Sequence, residues 1–433
     1  MHARLADLFN LRRGEGAPVF VAGLFFFCIL SALMLLRPAR DALGMERGLD
    51  EVRWLFVGTA LVTLAVNPVF GWLVARLRRL QFIAATYAFF AVSLCGFWAL
   101  LVFAPGAVGA RSGQVFYVWF SVFNLFVTMV FWALLADRFS SDQGKRLFAL
   151  IAVGGTLGAI FGPWLASRLA EPLGTPALLL IAAGFLLMGI ALAAGLLVRL
   201  HGDGRRDARV RPFEPARIGG SAWAGIRAVF ASRYLSAIAG YVVIMTIVAT
   251  FLYFTRLQMV AAAETELDAR TGLLGNIDMW TQVAVLALQL TLSGQIIRRL
   301  GLPFALALLP VAMALGFIGL ALYASFAVLI LLEAANRAIQ RGLTRPARET
   351  LFTVVDREEK YKAKAFIDTF IYRAGDVVGA QTEGVLGRLG LALGGLVTVV
   401  VPLALVWAAL GIWLGRAQQR RAATVPADTG EPG

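Results

Sequence analysis

The chain has 433 residues, 59% apolar and 15% charged, with a formal net charge of +14. Its mean hydropathy of +0.77 excludes a soluble globular protein of this length. The basic excess, 36 arginines and 4 lysines, is read as a membrane-topology signal rather than as a nucleic-acid footprint.

A helix needs about 20 apolar residues to cross a hydrocarbon core of roughly 30 Å, and only such helices satisfy their own backbone groups in lipid over runs this long. Twelve spans are predicted, at 18–36, 54–75, 82–104, 114–136, 147–169, 176–198, 235–255, 273–297, 303–323, 325–344, 365–387 and 391–414. Spans 10 and 11 are polar enough to escape hydropathy alone.

Span 1 follows Arg12 and Arg13 but runs on into LLRPARDALG with no small-residue cleavage site, which predicts an uncleaved helix. Pro38 is expected to bend or end it. Arg37 and Arg40, three residues apart, share a face, and Asp41 is placed to orient one of them. Cys28 and Cys95, in spans 1 and 3, read as small buried apolar residues, with no metal site and no cofactor implied. Tyr117, Trp119, Trp132 and, in span 8, Trp280 read as packing or interfacial aromatics.

In span 5, VGGTLG follows a helical run rather than a strand, which rules out a phosphate loop. The adjoining GAIFGP places Gly158, Gly162 and Pro163 where helices approach closely and can kink, a gating or packing role. The segment 199–220 is Arg-, Gly- and Pro-rich and reads as a solvated linker, followed by an amphipathic stretch over 221–235 expected to lie on the membrane surface.

In span 8, Asp278, Gln282 and Gln289 share one side of an apolar helix; Asp278 is read as countering Arg337 or Arg341, or as carrying a proton. Span 10 carries Glu333, Arg337 and Arg341 in steps of four, with Glu333 ahead of Arg337 in the favourable order for a helical ion pair. Such an arginine stripe suits a multivalent anion, because the guanidinium fork matches phosphate oxygens. Around span 11 come Lys360, Lys362 and Lys364, then Asp368, Arg373 and Asp376, the last two spaced to neutralise each other.

These spans predict an N-terminal half over 1–198, a basic linker with a short amphipathic helix over 199–234, a C-terminal half over 235–415 and a disordered tail over 416–433. The halves echo each other at an offset of 219 residues. Asp137, Arg138 and Lys145 match Asp356, Arg357 and Lys364, and Arg37 matches Arg256. GWLVARLRR at 71–79 also resembles GQIIRRLG at 294–301. With both termini in the cytoplasm, 28 of the 40 Lys and Arg fall on the cytoplasmic side, nine fall on the other side, counting Arg168 at the outer end of span 5, and three (Arg337, Arg341, Arg373) lie deeper within spans. That asymmetry fits the positive-inside rule.

Two six-helix halves in parallel repeat are the architecture of the major facilitator superfamily. The 71–79 loop resembles its G-x-x-x-D-R-x-x-R signature, with Ala75 in place of the Asp, and GAIFGP resembles its helix-5 motif. More narrowly, LLRPARDALG, FWALLADRFSSDQGKRLFALIAVGG and PARETLF…DREEKYKAKAFIDTFIYRAGD together resemble the bacterial and plastid ATP/ADP translocases, the NTP/NDP exchange transporters. The most specific part is the K-x-K-x-K-x-x-I-D run over 360–368. The resemblance implies twelve helices, a central anion site and exchange of ATP for ADP. Arg40 stands where that family carries a functional lysine, and Ser121 where it carries an acidic one.

The expected molecule is therefore an all-α membrane protein, major facilitator-like and not an enzyme, in a bacterial inner membrane. Its expected partners are the lipid bilayer and a nucleotide or similar phosphorylated anion. Arg37, Arg40, Arg337, Arg341, Arg373 and Lys364 are the expected substrate contacts, with Asp41, Asp278, Glu333, Asp368 and Asp376 balancing charge or coupling. Unpaired arginines around an empty site would cost several kcal/mol on closure, which predicts obligatory exchange. Proton-coupled transport of another organic anion, through Asp278 or Glu333, stays open as the alternative. A non-transporting scaffold has little in the sequence to support it.

Overall fold

A computed structural model describes residues 12, 14–76, 79–104, 106–201, 222–291, 295–391 and 393–424. Most of the linker, the last residues of the tail and the side chains of the 71–79 motif lie outside the described residues.

Among the described residues there are twelve long helical segments and one short one. They are α1 (Gly16–Met45), α2 (Leu49–Arg76), α3 (Arg79–Phe103), α4 (Ala107–Arg138), α5 (Ser141–Leu173), α6 (Thr175–His201), the short α7 (Ala222–Ala231), α8 (Arg233–Ala263), α9 (Leu267–Thr291) and α10 (Gln295–Leu322). The next segment joins α11 (Phe326–Ile339) and α12 (Arg345–Leu351) through a π-helical turn, Gln340–Thr344. The one after it joins α13 (Arg357–Phe366) and α14 (Tyr372–Arg388) through a second, Ile367–Ile371. α15 (Leu393–Thr424) closes the chain. This is the all-α architecture expected. Eight of these helices are long and apolar enough to cross a membrane on their own composition; the 326–351 and 357–388 segments are not among them.

Two boundaries differ from expectation. α1 does not end at Pro38 but continues to Met45 with Pro38 buried inside it. Proline removes one backbone donor, and the burial of Ala39, Asp41, Ala42 and Leu43 around it outweighs that loss. α15 continues past 416 to Thr424, so the tail is helical there instead of disordered. Arg421 and Gln418 anchor that extension: the Arg421 guanidinium lies 4.3 Å over the Tyr234 ring, and Gln418 donates to Thr353 Oγ1 at 3.4 Å.

The chain forms two compact units, one comprising Met1–Phe213 with Leu257–Gln282, the other Glu214–Arg256 with Val283–Gly433. In the first, α1 is the central helix and packs on α4, α5 and α6. Its contact with α5 is backbone on backbone. A Cβ added at Gly154, Gly158 or Gly162 would run into the carbonyl oxygens of Gly23, Phe27 and Ser31 respectively. Glycine at every fourth position removes the side chains that would hold two helices apart, the usual device in lipid, where apolar burial alone does not drive association.

The second unit repeats that contact. A Cβ at Gly375 on α14 would meet the Thr246 hydroxyl of α8, and one at Gly379 would lie 3.0 Å from Thr250 Cβ. Thr246 and Thr250 are each 219 residues after Phe27 and Ser31, while Gly375 and Gly379 are each 217 after Gly158 and Gly162. The duplication read from loop charges is thus also written in the packing of the first and fifth helices of each half. Gly158→Leu is expected to cost at least about 3 kcal/mol, because the α1 backbone cannot yield as a side chain could. The check is the yield and melting temperature of the purified variant; a wild-type profile would contradict it.

α7 packs on α13, with Val229 buried and Phe230 exposed. Just before α1, Glu15 accepts from Arg146 Nη2 at 3.1 Å and from Gln143 Nε2 at 3.1 Å, both at the start of α5. Burial pushes its carboxyl up, but the bonds from Arg146, the Arg12 backbone and Gln143 hold it below the ordinary carboxylate range. A lowered folded pKa contributes stability above the unfolded value of about 4.3 and loses it as pH falls through the folded one. Glu15→Gln should therefore lower the melting temperature at neutral pH, with the gap to wild type closing below about pH 4; a gap independent of pH would refute the assignment.

Candidate functional site

Because α1 passes through Pro38, its last turns carry Arg37, Arg40 and Asp41 into the first unit. Asp41 is fully buried and accepts from Arg40 Nε at 2.8 Å and from Arg40 Nη2. The Arg40 guanidinium also lies 4.8 Å from the Tyr117 ring centroid and 5.1 Å from that of Phe120, both on α4. A cation held by a buried carboxylate and two ring faces is fixed in orientation. Asp41 orients Arg40, one of the two choices the sequence left open.

Arg37 takes a different partner: its Nε lies 3.8 Å from Asp278 Oδ2, with Asp278 only 1% exposed. The first part of α9 belongs to this unit and is fastened to it at several points. Asp268 Oδ1 accepts from the Thr175 backbone N–H at 2.7 Å, the Thr175 and Thr271 hydroxyls are 2.9 Å apart, and a Cβ at Gly275 would lie 2.9 Å from the Pro163 carbonyl. Pro163 thus meets α9, whereas Gly158 and Gly162 meet α1.

In the second unit, Arg256 of α8 is fully buried. Its Nη1 lies 3.5 Å from Glu333 Oε2, and Arg337 Nη2 lies 2.6 Å from that same oxygen. One carboxylate therefore serves two guanidinia. The first π-turn begins at Gln340, so the four-residue step from Arg337 to Arg341 crosses into a wider winding, and Arg341 is exposed. Such π-turns are frequent at functional sites. Beyond it, Arg348 pairs with Asp368 at 2.9 Å, Lys364 with Glu349 at 2.5 Å, and Arg373 with Asp376 at 3.3 Å.

A sequence profile described as the Major Facilitator Superfamily matches residues 19–339. The chain belongs to the major facilitator superfamily. Solved structures of similar fold include a bacterial homologue of the human lysosomal transporter Spinster (12% identity, TM-score 0.56, 95% of this chain and 98% of that one). The nucleoside transporter NupG is another (12%, 0.59, 94% and 99%), and a third is a POT family transporter in complex with 5-aminolevulinic acid (10%, 0.61, 92% and 96%). At these identities the likeness is one of fold. No curated protein matches the sequence.

For this superfamily transporter, the structure overturns one of the sequence expectations and adds a partner to two others. Asp278 is expected to counter Arg337 or Arg341; within its own unit it has a further partner, Arg37, which helical spacing could not show. Lys364 is expected to contact substrate, and its ammonium has Glu349 as a partner. The arginines were expected to be unpaired around an empty site, yet Arg37, Arg40, Arg337 and Arg373 each have a carboxylate partner. The predicted Glu333–Arg337 and Arg373–Asp376 pairs are present.

Arg256 was not counted among the candidate contacts. Its signal was its 219-residue offset from Arg37, which assigns it the same place in the repeat. Asp268, Thr175 and Thr271 carried no signal, because each is ordinary in isolation. Among the aromatics, Tyr117 lies under Arg40, Trp119 stacks on Phe123 at 5.2 Å, and Trp280 is 52% exposed.

Proposed function

We propose that this superfamily transporter is an antiporter of nucleotides or similar phosphorylated anions, working by alternating access in a bacterial inner membrane with both termini cytoplasmic. The observation that carries the reading is the concentration of guanidinium groups within the long helical segments: Arg37 and Arg40 in the first unit, Arg256, Arg337 and Arg341 in the second. Charge at that depth is retained for function, and planar guanidinium forks suit phosphate oxygens better than they suit small neutral solutes. The likeness of the 360–368 run to the ATP/ADP translocases supports a nucleotide.

Asp278 and Glu333 act as place-holders in this reading. They neutralise Arg37 and Arg337 when no anion is bound, and a polyphosphate, with more charge and more acceptor oxygens, displaces them. Internal pairing lowers the cost of closing the empty carrier, so charge alone does not demand exchange; exchange rests on the resemblance. A second reading, proton-coupled transport of another organic anion, is favoured by one observation, the near-complete burial of Asp278 beside Arg37. Uptake driven by a pH gradient and abolished by Asp278→Asn would select it.

Thermal stabilisation by a panel of anions tests the substrate class. A ligand at about 100 times its dissociation constant adds about 2.7 kcal/mol to the native state. ATP and ADP should raise the melting temperature of the wild type and not of Arg341→Ala. A shift with dicarboxylates alone would move the function to the second reading.

A further inference from the structure

α15 turns two faces to different surroundings. On one, Arg421 covers the Tyr234 ring and Gln418 reaches Thr353. The other is an open face formed by Ala409, Ile412, Trp413, Arg416, Ala417 and Arg420. These residues recur at steps of three and four, so they form one stripe along the helix. Leu405 and Val406, 59% and 58% exposed, extend the stripe by another turn, and Trp413 is 49% exposed. Arg416 and Arg420 are exposed, and among the described residues no carboxylate pairs with them.

We propose that this stripe is a binding site for an anionic phospholipid, with the phosphodiester on Arg416 and Arg420 and an acyl chain along Ile412, Ala409, Val406 and Leu405. The order of residues matches a lipid's own order. From Leu405 to Arg416 a helix rises about 16 Å, close to one leaflet of a hydrocarbon core of roughly 30 Å. Trp413 stands at the change from apolar to charged, where interfacial aromatics collect. Only 33% of the apolar window of α15 is buried by protein, against 67% for α1, which leaves the stripe to lipid.

Two other occupants fit less well. A second copy docking the same stripe across a two-fold axis would set Arg416 and Arg420 against their own equivalents, like charge on like. A free phosphate uses the arginines but leaves the Leu405-to-Trp413 stripe without a purpose. The proposal does not depend on the nucleotide reading, since it concerns the outer face of α15 and none of the residues assigned to transport.

The test is native mass spectrometry of the full chain from micelles containing equal phosphatidylglycerol and phosphatidylcholine. At about 1 kcal/mol per arginine, Arg416→Gln should reduce phosphatidylglycerol retention about fivefold and the Arg416→Gln/Arg420→Gln pair about thirtyfold. The Arg416→Lys/Arg420→Lys pair should keep it, and this decides the matter even where the glutamine pair folds poorly. Equal retention of the two lipids by the wild type would overturn the proposal, as would undiminished phosphatidylglycerol in Arg416→Gln. Displacement of the lipid by inorganic phosphate would assign the arginines to a free anion, and a dimer lost on Trp413→Ala would assign the face to a second copy; either result overturns it.

Discussion

Glu333→Ala is expected to be the most destabilising single substitution in the second unit, at about 3 to 5 kcal/mol. Its Oε2 is the shared acceptor of Arg256 and Arg337, and the three side chains are 0%, 6% and 12% exposed for Arg256, Glu333 and Arg337. Removing the carboxylate takes the shared acceptor from two enclosed guanidinia. The prediction has an internal control. Arg256→Met in the Glu333→Ala background should recover part of the loss, because an apolar residue of similar length replaces a buried charge without its desolvation penalty. Melting temperatures and monodisperse yield measure both. A Glu333→Ala protein as stable as wild type would mean that the ion pairs are held chiefly by other contacts.

Arg341→Ala should do the opposite: spare the fold and abolish transport. The side chain is exposed on the first π-turn, and exposed substitutions usually change stability by less than about 0.5 kcal/mol. If it binds a phosphate, its removal leaves substrate charge unanswered at a cost of about 3 kcal/mol. That corresponds to a loss of about a hundredfold in transport. Arg341→Lys should fall between, because an ammonium keeps the charge and loses the planar fork. Wild-type transport by a well-folded Arg341→Ala protein would remove Arg341 from the site and weaken the case for a phosphorylated substrate.

Much of this fold was legible from hydropathy, since each long apolar run had to become a helix in lipid. The twelve predicted spans correspond to the twelve long helical segments, including the polar 326–351 and 357–388 segments that composition alone passes over. Their charge disguised them, and the even count demanded by the positive-inside asymmetry kept them. What the sequence did not show is tertiary. Pro38 breaks helices in general, but here it sits in the most enclosed helix of its unit, where burial of its neighbours decides the outcome. The partners of the candidate cations were readable only within one helix. Glu333–Arg337 and Arg373–Asp376 follow from spacing, whereas Arg37–Asp278, Arg256–Glu333 and Lys364–Glu349 require knowing which helices are neighbours. The end of α15 was missed because a basic run at the close of a span looks like a tail, and only Tyr234 and Thr353 show what holds it.

The most direct test of the account is counterflow in proteoliposomes. Vesicles loaded with ADP, with empty vesicles beside them, are offered labelled ATP outside. The account predicts uptake only into the loaded vesicles, lost in Arg341→Ala. Because ATP and ADP differ by about one charge, the direction should be biased by about 2.3 kcal/mol per 100 mV of imposed potential. Equal uptake into empty vesicles, or uptake that follows a pH gradient and ignores internal nucleotide, would contradict nucleotide exchange.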